Sequence, residues 1–230
     1  MDFSPVLISL KTSVVSIFFT FFLGLWAARG VVSLQSPKKK AWLDGILTLP
    51  LVLPPTVAGF FLLSIFGPKR VVGIFLEKFL NMKIVFTWQA TVLAAVVISF
   101  PLMYRSVRGA LEQVDANLIY AGRTLGMSER AIFYKIMLPQ ARPGIISGGV
   151  LAFTRGLGEF GATAMIAGNI EGKTRTLPLA IYSEVAAGDM DTAGKYVLII
   201  VAFSLLMVAC MNLRGEKDSG FTGGYRKKIK

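Results

Sequence analysis

Five stretches of the chain are apolar over about 20 residues, the length a helix needs to cross the roughly 30 Å hydrocarbon layer of a bilayer. They cover residues 6–28, 46–66, 87–107, 143–168 and 193–213. A shorter apolar piece, residues 176–186, cannot cross and predicts an interfacial or re-entrant half-helix. Between the third and fourth stretches runs a polar segment, AGRTLGMSERAIFYKIMLP, residues 121–139. Its apolar positions fall into two short helical runs. Ala121 and Leu125 share a face before Gly126, which suits a left-handed helix stop. Ser128 can cap a second helix, with Glu129 favourable in its first turn. Ala131, Ile132, Lys135 and Ile136 continue that helix, and Leu138-Pro139 is expected to end it before the next apolar stretch. The result is a compact protrusion whose apolar face is rimmed by Arg123, Arg130 and Lys135. Periodicity fits a partner-docking knob and an amphipathic helix lying on the bilayer equally well.

Composition agrees with a membrane protein. The chain is 54% apolar and 17% charged, against about 45–50% and 25% in soluble domains. The expected fold class is all-α, a polytopic transmembrane bundle of five spans with an extra half-helix, in one domain covering residues 1–230. The net charge of +12 bears on topology rather than on nucleic acid, which is not an expected partner. Most of the 25 basic residues gather on one side: Arg29, Lys38–Lys40, then Arg105 to Arg142, then the tail at 214–230. Positive loops stay in the cytoplasm, so the N-terminus is expected outside, and the loop at 108–142 and the C-terminus inside. The first stretch reads as a retained helix, since its lysine cluster follows the apolar run instead of preceding it.

The stretches are more than anchors. Pro50, Pro54 and Pro55 interrupt the second, and each removes a helical hydrogen bond. Either a packing kink or a helix broken at a translocation path satisfies this pattern, because freed carbonyls must face protein or a wet cavity. Gly144, Gly148, Ala152 and Gly156 form a small-residue ridge for close helix packing, within one chain or across a dimer. Arg155 and Glu159, four apart, share a helix face. They read as a self-neutralising pair or as a polar feature at a gate.

Catalytic sets are not evident. The chain has no histidine, and its single cysteine, Cys210, cannot form an internal disulfide. No metal-ligand pattern appears among its acids, so neither a catalytic residue nor a metal site is expected. AGNIEGKT, residues 167–174, loosely imitates a phosphate-binding loop. Such a loop requires a strand before it and a helix opening at Lys173-Thr174, whereas an apolar span precedes this one. The chain is therefore expected to bind no cofactor.

The polar segment resembles the conserved cytoplasmic "EAA" loop of bacterial ATP-binding-cassette importer permeases. That pattern places EAA, then a glycine after three residues, then Ile-x-Leu-Pro after nine more. Here Tyr120-Ala121-Gly122, Gly126 and Ile136-Met137-Leu138-Pro139 fall at that spacing, with Tyr120 in place of the usual glutamate and Gly122 in place of alanine. DGILTLPLVLPPTVAGFFLL, SFPLMYRSVRGALEQVD, GRTLG and TRGLGEFGAT extend the resemblance toward the molybdate branch of these permeases, with the sulfate branch next.

The resemblance implies a type I importer fold and a homodimer in the plasma membrane. It also implies two cytoplasmic ATPase subunits that use ATP and Mg, and an extracytoplasmic oxyanion-binding protein. It places ATPase docking at Ala121, Gly122, Arg123, Thr124, Leu125, Gly126, Met127, Ser128 and Pro139. Candidates for the anion path are Thr56, Ser99, Thr154 and Thr163, with Arg155 and Glu159 near a gate. Weak donors suit a path better than rows of cations, which would trap a dianion. A sulfate permease, a stand-alone anion channel and a secondary transporter are the competing readings, with a membrane enzyme disfavoured by the missing catalytic set.

Overall fold

A computed structural model describes residues 2–226, with side chains described as far as Ala209. Among these residues the chain is helical, without strands. In order the helices are α1 (Ser4–Val32), α2 (Pro37–Val52), α3 (Pro55–Phe66), α4 (Val71–Leu80), α5 (Trp88–Glu112) and α6 (Ala116–Thr124). They continue with α7 (Glu129–Ile132), a π-helical turn (Phe133–Met137), α8 (Leu138–Leu157), α9 (Gly161–Ala167), α10 (Leu177–Ala187) and α11 (Met190–Arg226).

Helices α1, α5 and α8 form the centre. The buried face of α1 is made of Ser9, Thr12, Ser13, Ser16, Thr20, Gly24 and Ala28, all small enough for backbones to approach. Two hydroxyl pairs join it to α5: Thr12 Oγ1 to Thr91 Oγ1 at 2.9 Å, and Thr20 Oγ1 to Ser99 Oγ at 3.1 Å. Both pairs are 79 residues apart, so the two helices run parallel. Against α8 the partner numbers fall as its own rise. A Cβ on Gly144 would lie 2.6 Å from Ala110 Cβ, one on Gly148 2.5 Å from Ser106 Cβ, and one on Gly156 3.7 Å from Ala95 Cβ. The glycine ridge of α8 thus packs antiparallel on α5 within the same chain. Met103, Tyr104, Val107, Leu111, Ala141 and Ile145 fill one apolar core between these helices. Ala58, Leu62, Ala90, Ile98, Ala162 and Ile166 fill a second, under α3 and α9.

These directions sort the connections into two ends. At one end Ser9 Oγ accepts the Leu177 N–H at 2.7 Å, Tyr196 O–H donates to the Asp2 carbonyl at 2.6 Å, and Lys11 lies 4.2 Å over the Trp88 ring. At the other, Arg29 sits 4.2 Å over Phe133 and Lys40 pairs with Glu112 at 2.6 Å.

Four sequence expectations change. Among the described residues only α1, α5 and Met190–Ala209 are long and apolar enough to cross a membrane singly, and α2 with α3 adds a fourth span if the bent pair counts as one. The fourth apolar stretch, residues 143–168, is not one helix. It splits at Gly158–Phe160 into α8 and α9, where glycines stand on both sides of Glu159. In α8 itself, Gln140, Arg142, Arg155 and the glycines dilute the apolar residues. The expected stop at Leu138-Pro139 is also absent. The π turn joins α7 to α8, with the Leu138 N–H bonded to the Phe133 carbonyl. Its wider ring relieves the clash a proline otherwise makes with the carbonyl four residues back. Finally, α11 continues through residue 213 into the expected tail, of which residues 227–230 lie outside the described residues.

Candidate functional site

The polar segment folds into a helical corner. Helix α6 starts at Asp115, whose carboxylate accepts the Asn117 N–H, and ends in a paired set of backbone bonds. The Met127 N–H reaches the Gly122 carbonyl at 3.0 Å and the Gly126 N–H the Arg123 carbonyl at 2.9 Å. This closure requires a left-handed residue, and Gly126 has φ +76°. Ser128 then caps α7 by accepting the Ala131 N–H at 3.3 Å. Gly122 is buried because α6 lies directly on the second arm: a Cβ there would meet Ile136 Cδ1 at 2.9 Å. Arg123 locks the corner through two bonds to Glu129, at 2.7 and 3.2 Å. That partner holds the Glu129 carboxyl below its ordinary range.

What remains outside is a tip. Leu125 is 80% exposed, and Ala121, Arg123, Thr124, Gly126 and Ser128 are exposed with it. Met127 is half-buried, and Pro139 lies past the π turn in the first turn of α8. Behind the tip a cavity of about 320 Å³ is lined by Arg29, Tyr120, Arg123, Phe133 and Met137. Tyr120, at the position where the resembled pattern has glutamate, therefore borders this cavity. The acid that pairs with Arg123 is Glu129.

A second feature lies deeper. Helices α2 and α3 meet at an angle of 109° around Leu53-Pro54, a break and not a packing kink. The break in α8–α9 meets it: a Cβ on Gly161 would lie 3.0 Å from Pro55 Cβ and 3.2 Å from the Thr56 nitrogen. Gly156, one turn before, faces Ser16 and Ala95, well inside α1 and α5, so the junction sits within the bundle and not at its ends. Glu159 holds it together. Its side chain is 1% exposed; one oxygen accepts from Arg155 Nη1 at 2.8 Å and the other from the Ala162 N–H at 2.8 Å.

Thr56 is exposed beside this junction, and Thr163 is buried in α9. Thr154 spends its hydroxyl on the Val150 and Leu151 carbonyls of its own helix. Ser99 is apart from them, turned to Thr20 and to the Ala95 carbonyl. The phosphate-loop look-alike follows α9 and closes on itself, with Thr174 Oγ1 accepting the Ile170 N–H at 3.0 Å. Sequence reasoning missed one cluster. Arg108 joins Asp44 and Glu112, Lys40 joins Glu112, and Tyr104 O–H donates to Asp44 at 3.0 Å, tying α2 to α5. Of these links only the four-residue spacing of Arg108 and Glu112 is visible in the sequence.

Several known proteins share this chain's sequence or shape. The molybdenum transport system permease protein ModB of Escherichia coli K12 is 43% identical over 210 residues, 91% of each chain. The putative molybdenum transport system permease protein YvgM of Bacillus subtilis is 40% identical over 206 residues, 90% of each. The sulfate transport system permease protein CysT of Salmonella typhimurium is 38% identical over 170 residues, covering 74% of this chain and 61% of its own length. Among solved structures, the MetNI methionine ABC transporter aligns with TM-score 0.72 at 20% identity, over 93% of this chain and 94% of that one. A bacterial ABC transporter involved in alginate import aligns with TM-score 0.75 at 14% identity, over 93% of this chain and 78% of that one. The pattern of binding-protein-dependent transport system inner membrane components covers residues 20–214, and with relatives this similar along nearly their whole length, the chain belongs to that family.

Proposed function

We infer that this chain is the membrane-spanning permease subunit of an ATP-driven importer that carries molybdate, with tungstate a fitting second cargo. The corner at Gly126 carries the coupling part of this reading. It is a knob closed by its own hydrogen bonds with an exposed tip, on a chain whose relatives are molybdenum permeases. Two ATPase subunits would seat that tip, from Ala121 to Ser128, and supply the ATP and Mg chemistry. The permease would act as a pair of copies fed by an oxyanion-binding protein on the outer side. Its N-terminus would lie outside and its C-terminus in the cytoplasm, as the basic residues at the corner's end of the bundle suggest.

Anion passage would follow the junction of the two broken spans. Thr56 and the Arg155–Glu159 pair stand there, and discontinuous helices in a membrane are tolerated where they line a cavity. Pairing with Glu159 keeps Arg155 from acting as a full anion trap. The sulfate relative keeps sulfate as the runner-up cargo. Gly126→Asp, which places a side chain at φ +76° on the tip, should abolish co-purification with the ATPase while leaving the chain inserted. Undiminished association would count against docking there. Uptake and ATP hydrolysis by the reconstituted complex, given binding protein loaded with molybdate, tungstate or sulfate in turn, decide the cargo. Uptake by the chain alone without ATP would favour a channel instead.

A further inference from the structure

At the end of the bundle that carries the Gly126 corner, a groove of about 660 Å³ lies along α5 and α8. The close approach of Gly144 to Ala110 lies in its lining, and the walls are polar and apolar in about equal measure. Arg105, Ser106 and Gln113 come from the α5 side; Gln140 and Ser147 come from α8. Arg105 is exposed and makes no ion pair among the described residues. Arg108, one turn on, is by contrast consumed by Asp44 and Glu112. Arg105 also borders the space beside those two carboxylates, but Arg108 and Lys40 already hold them, which leaves the Arg105 donors free. The one acid in the groove's lining, Asp115, is occupied with the Asn117 N–H at 2.9 Å as the cap of α6.

The set holds one guanidinium, two hydroxyls and two carboxamides beside a single carboxylate, that of Asp115, which already accepts a backbone N–H as the cap of α6. It matches an oxyanion, whose oxygens only accept. The space is wide and open, so an anion would be held with its water and released readily. We propose that this groove is the release site of the tetrahedral oxyanion on the ATPase side of the permease, with Arg105 as its charge-bearing residue. The proposal rests on the permease reading above, and it adds a site separate from the Thr56–Glu159 junction.

Ser147→Cys in a Cys210→Ala background tests it, in the complete complex in vesicles that expose the Gly126 corner. A negatively charged methanethiosulfonate labels the new thiol. Millimolar molybdate should slow that labelling several-fold, and chloride at equal ionic strength should not. Arg105→Gln should raise the molybdate concentration for half-protection about tenfold, the loss of one charge-assisted bond, while Arg105→Lys retains most of the protection. Gln140→Cys, in the exposed first turn of α8, reports on the same groove if Ser147→Cys fails to assemble. Labelling indifferent to molybdate overturns the proposal, and so does protection that persists unchanged in Arg105→Gln. Molybdate uptake measured on the parent complex keeps the two readings apart. Uptake without protection removes the site and leaves the permease, whereas protection without uptake does the reverse.

Discussion

Glu159 shows how one residue can do several things in this bundle. Its carboxylate is shut off from solvent, yet it neutralises Arg155 and caps the start of α9 with separate oxygens. Removing one partner of a buried pair costs about 3–5 kcal/mol, because the other charge stays buried without compensation. Arg155 is a third exposed, so the effect belongs at the low end of that range or below. Arg155→Met should therefore lower the melting temperature in detergent more than the double variant Arg155→Met/Glu159→Gln. Equal losses would mean that the pair is not coupled. Four-residue spacing made the pair legible in the sequence. The second bond, to the Ala162 N–H, was not legible, because it exists only where the helix breaks.

The corner formed by α6 and α7 is the element whose sequence says most about its shape. Gly126, Ser128 and Glu129 each act through their immediate neighbours, so the stop and the cap could be read before the fold was known. The link between the arms joins Arg123 and Glu129 six residues apart, across the turn. Glu129's carboxyl is lowered by its hydrogen bond to Arg123. A depressed carboxyl stabilises the folded corner above its unfolded value, ordinarily 4.5, and that contribution fades as pH falls through the lower folded value. Amide-exchange protection at Gly126 and Met127 should thus be constant near neutral pH and fall in acid below that ordinary value. Glu129→Gln should remove this pH dependence, and a fall that survives the substitution would assign it to another group. At the far side of the same element the sequence misleads. Leu138-Pro139 looks like a stop, yet the chain passes through a π turn ahead of it and continues into α8.

Seen whole, the molecule is two ends joined by a centre of three helices. The parallel pair α1–α5 and the antiparallel α8 put Asp2, Trp88, Leu177 and Tyr196 at one end, and Ser33, Glu112 and Phe133 at the other. This sorting predicts labelling from opposite sides of the membrane. A cysteine replacing Ser128 should react only with reagent on the cytoplasmic side, and one replacing Asn169 only from outside, both in a Cys210→Ala background. Both sites reacting from one side would overturn the topology. The same geometry resolves the glycine ridge. Its repeat announced close packing, and the contacts of Gly144 and Gly148 with α5 place that packing inside one chain.

The sequence by itself determined that the chain is a helical membrane protein, which segments are apolar, and where a polar segment turns at a glycine between two short helices. Those properties depend on hydropathy, on local capping and on glycine's freedom at positive φ, all of which act over a few residues. Only the tertiary structure decided that two apolar stretches are broken and not continuous. It alone shows that the two breaks meet at Pro55 and Gly161, that Ser99 turns to α1, and that Arg108 pairs with Asp44 and Glu112 while Arg105 makes no ion pair among the described residues. Each of these depends on partners far away in the chain. A spacing rule registers only neighbours along one helix, whereas burial and pairing depend on which helices lie side by side.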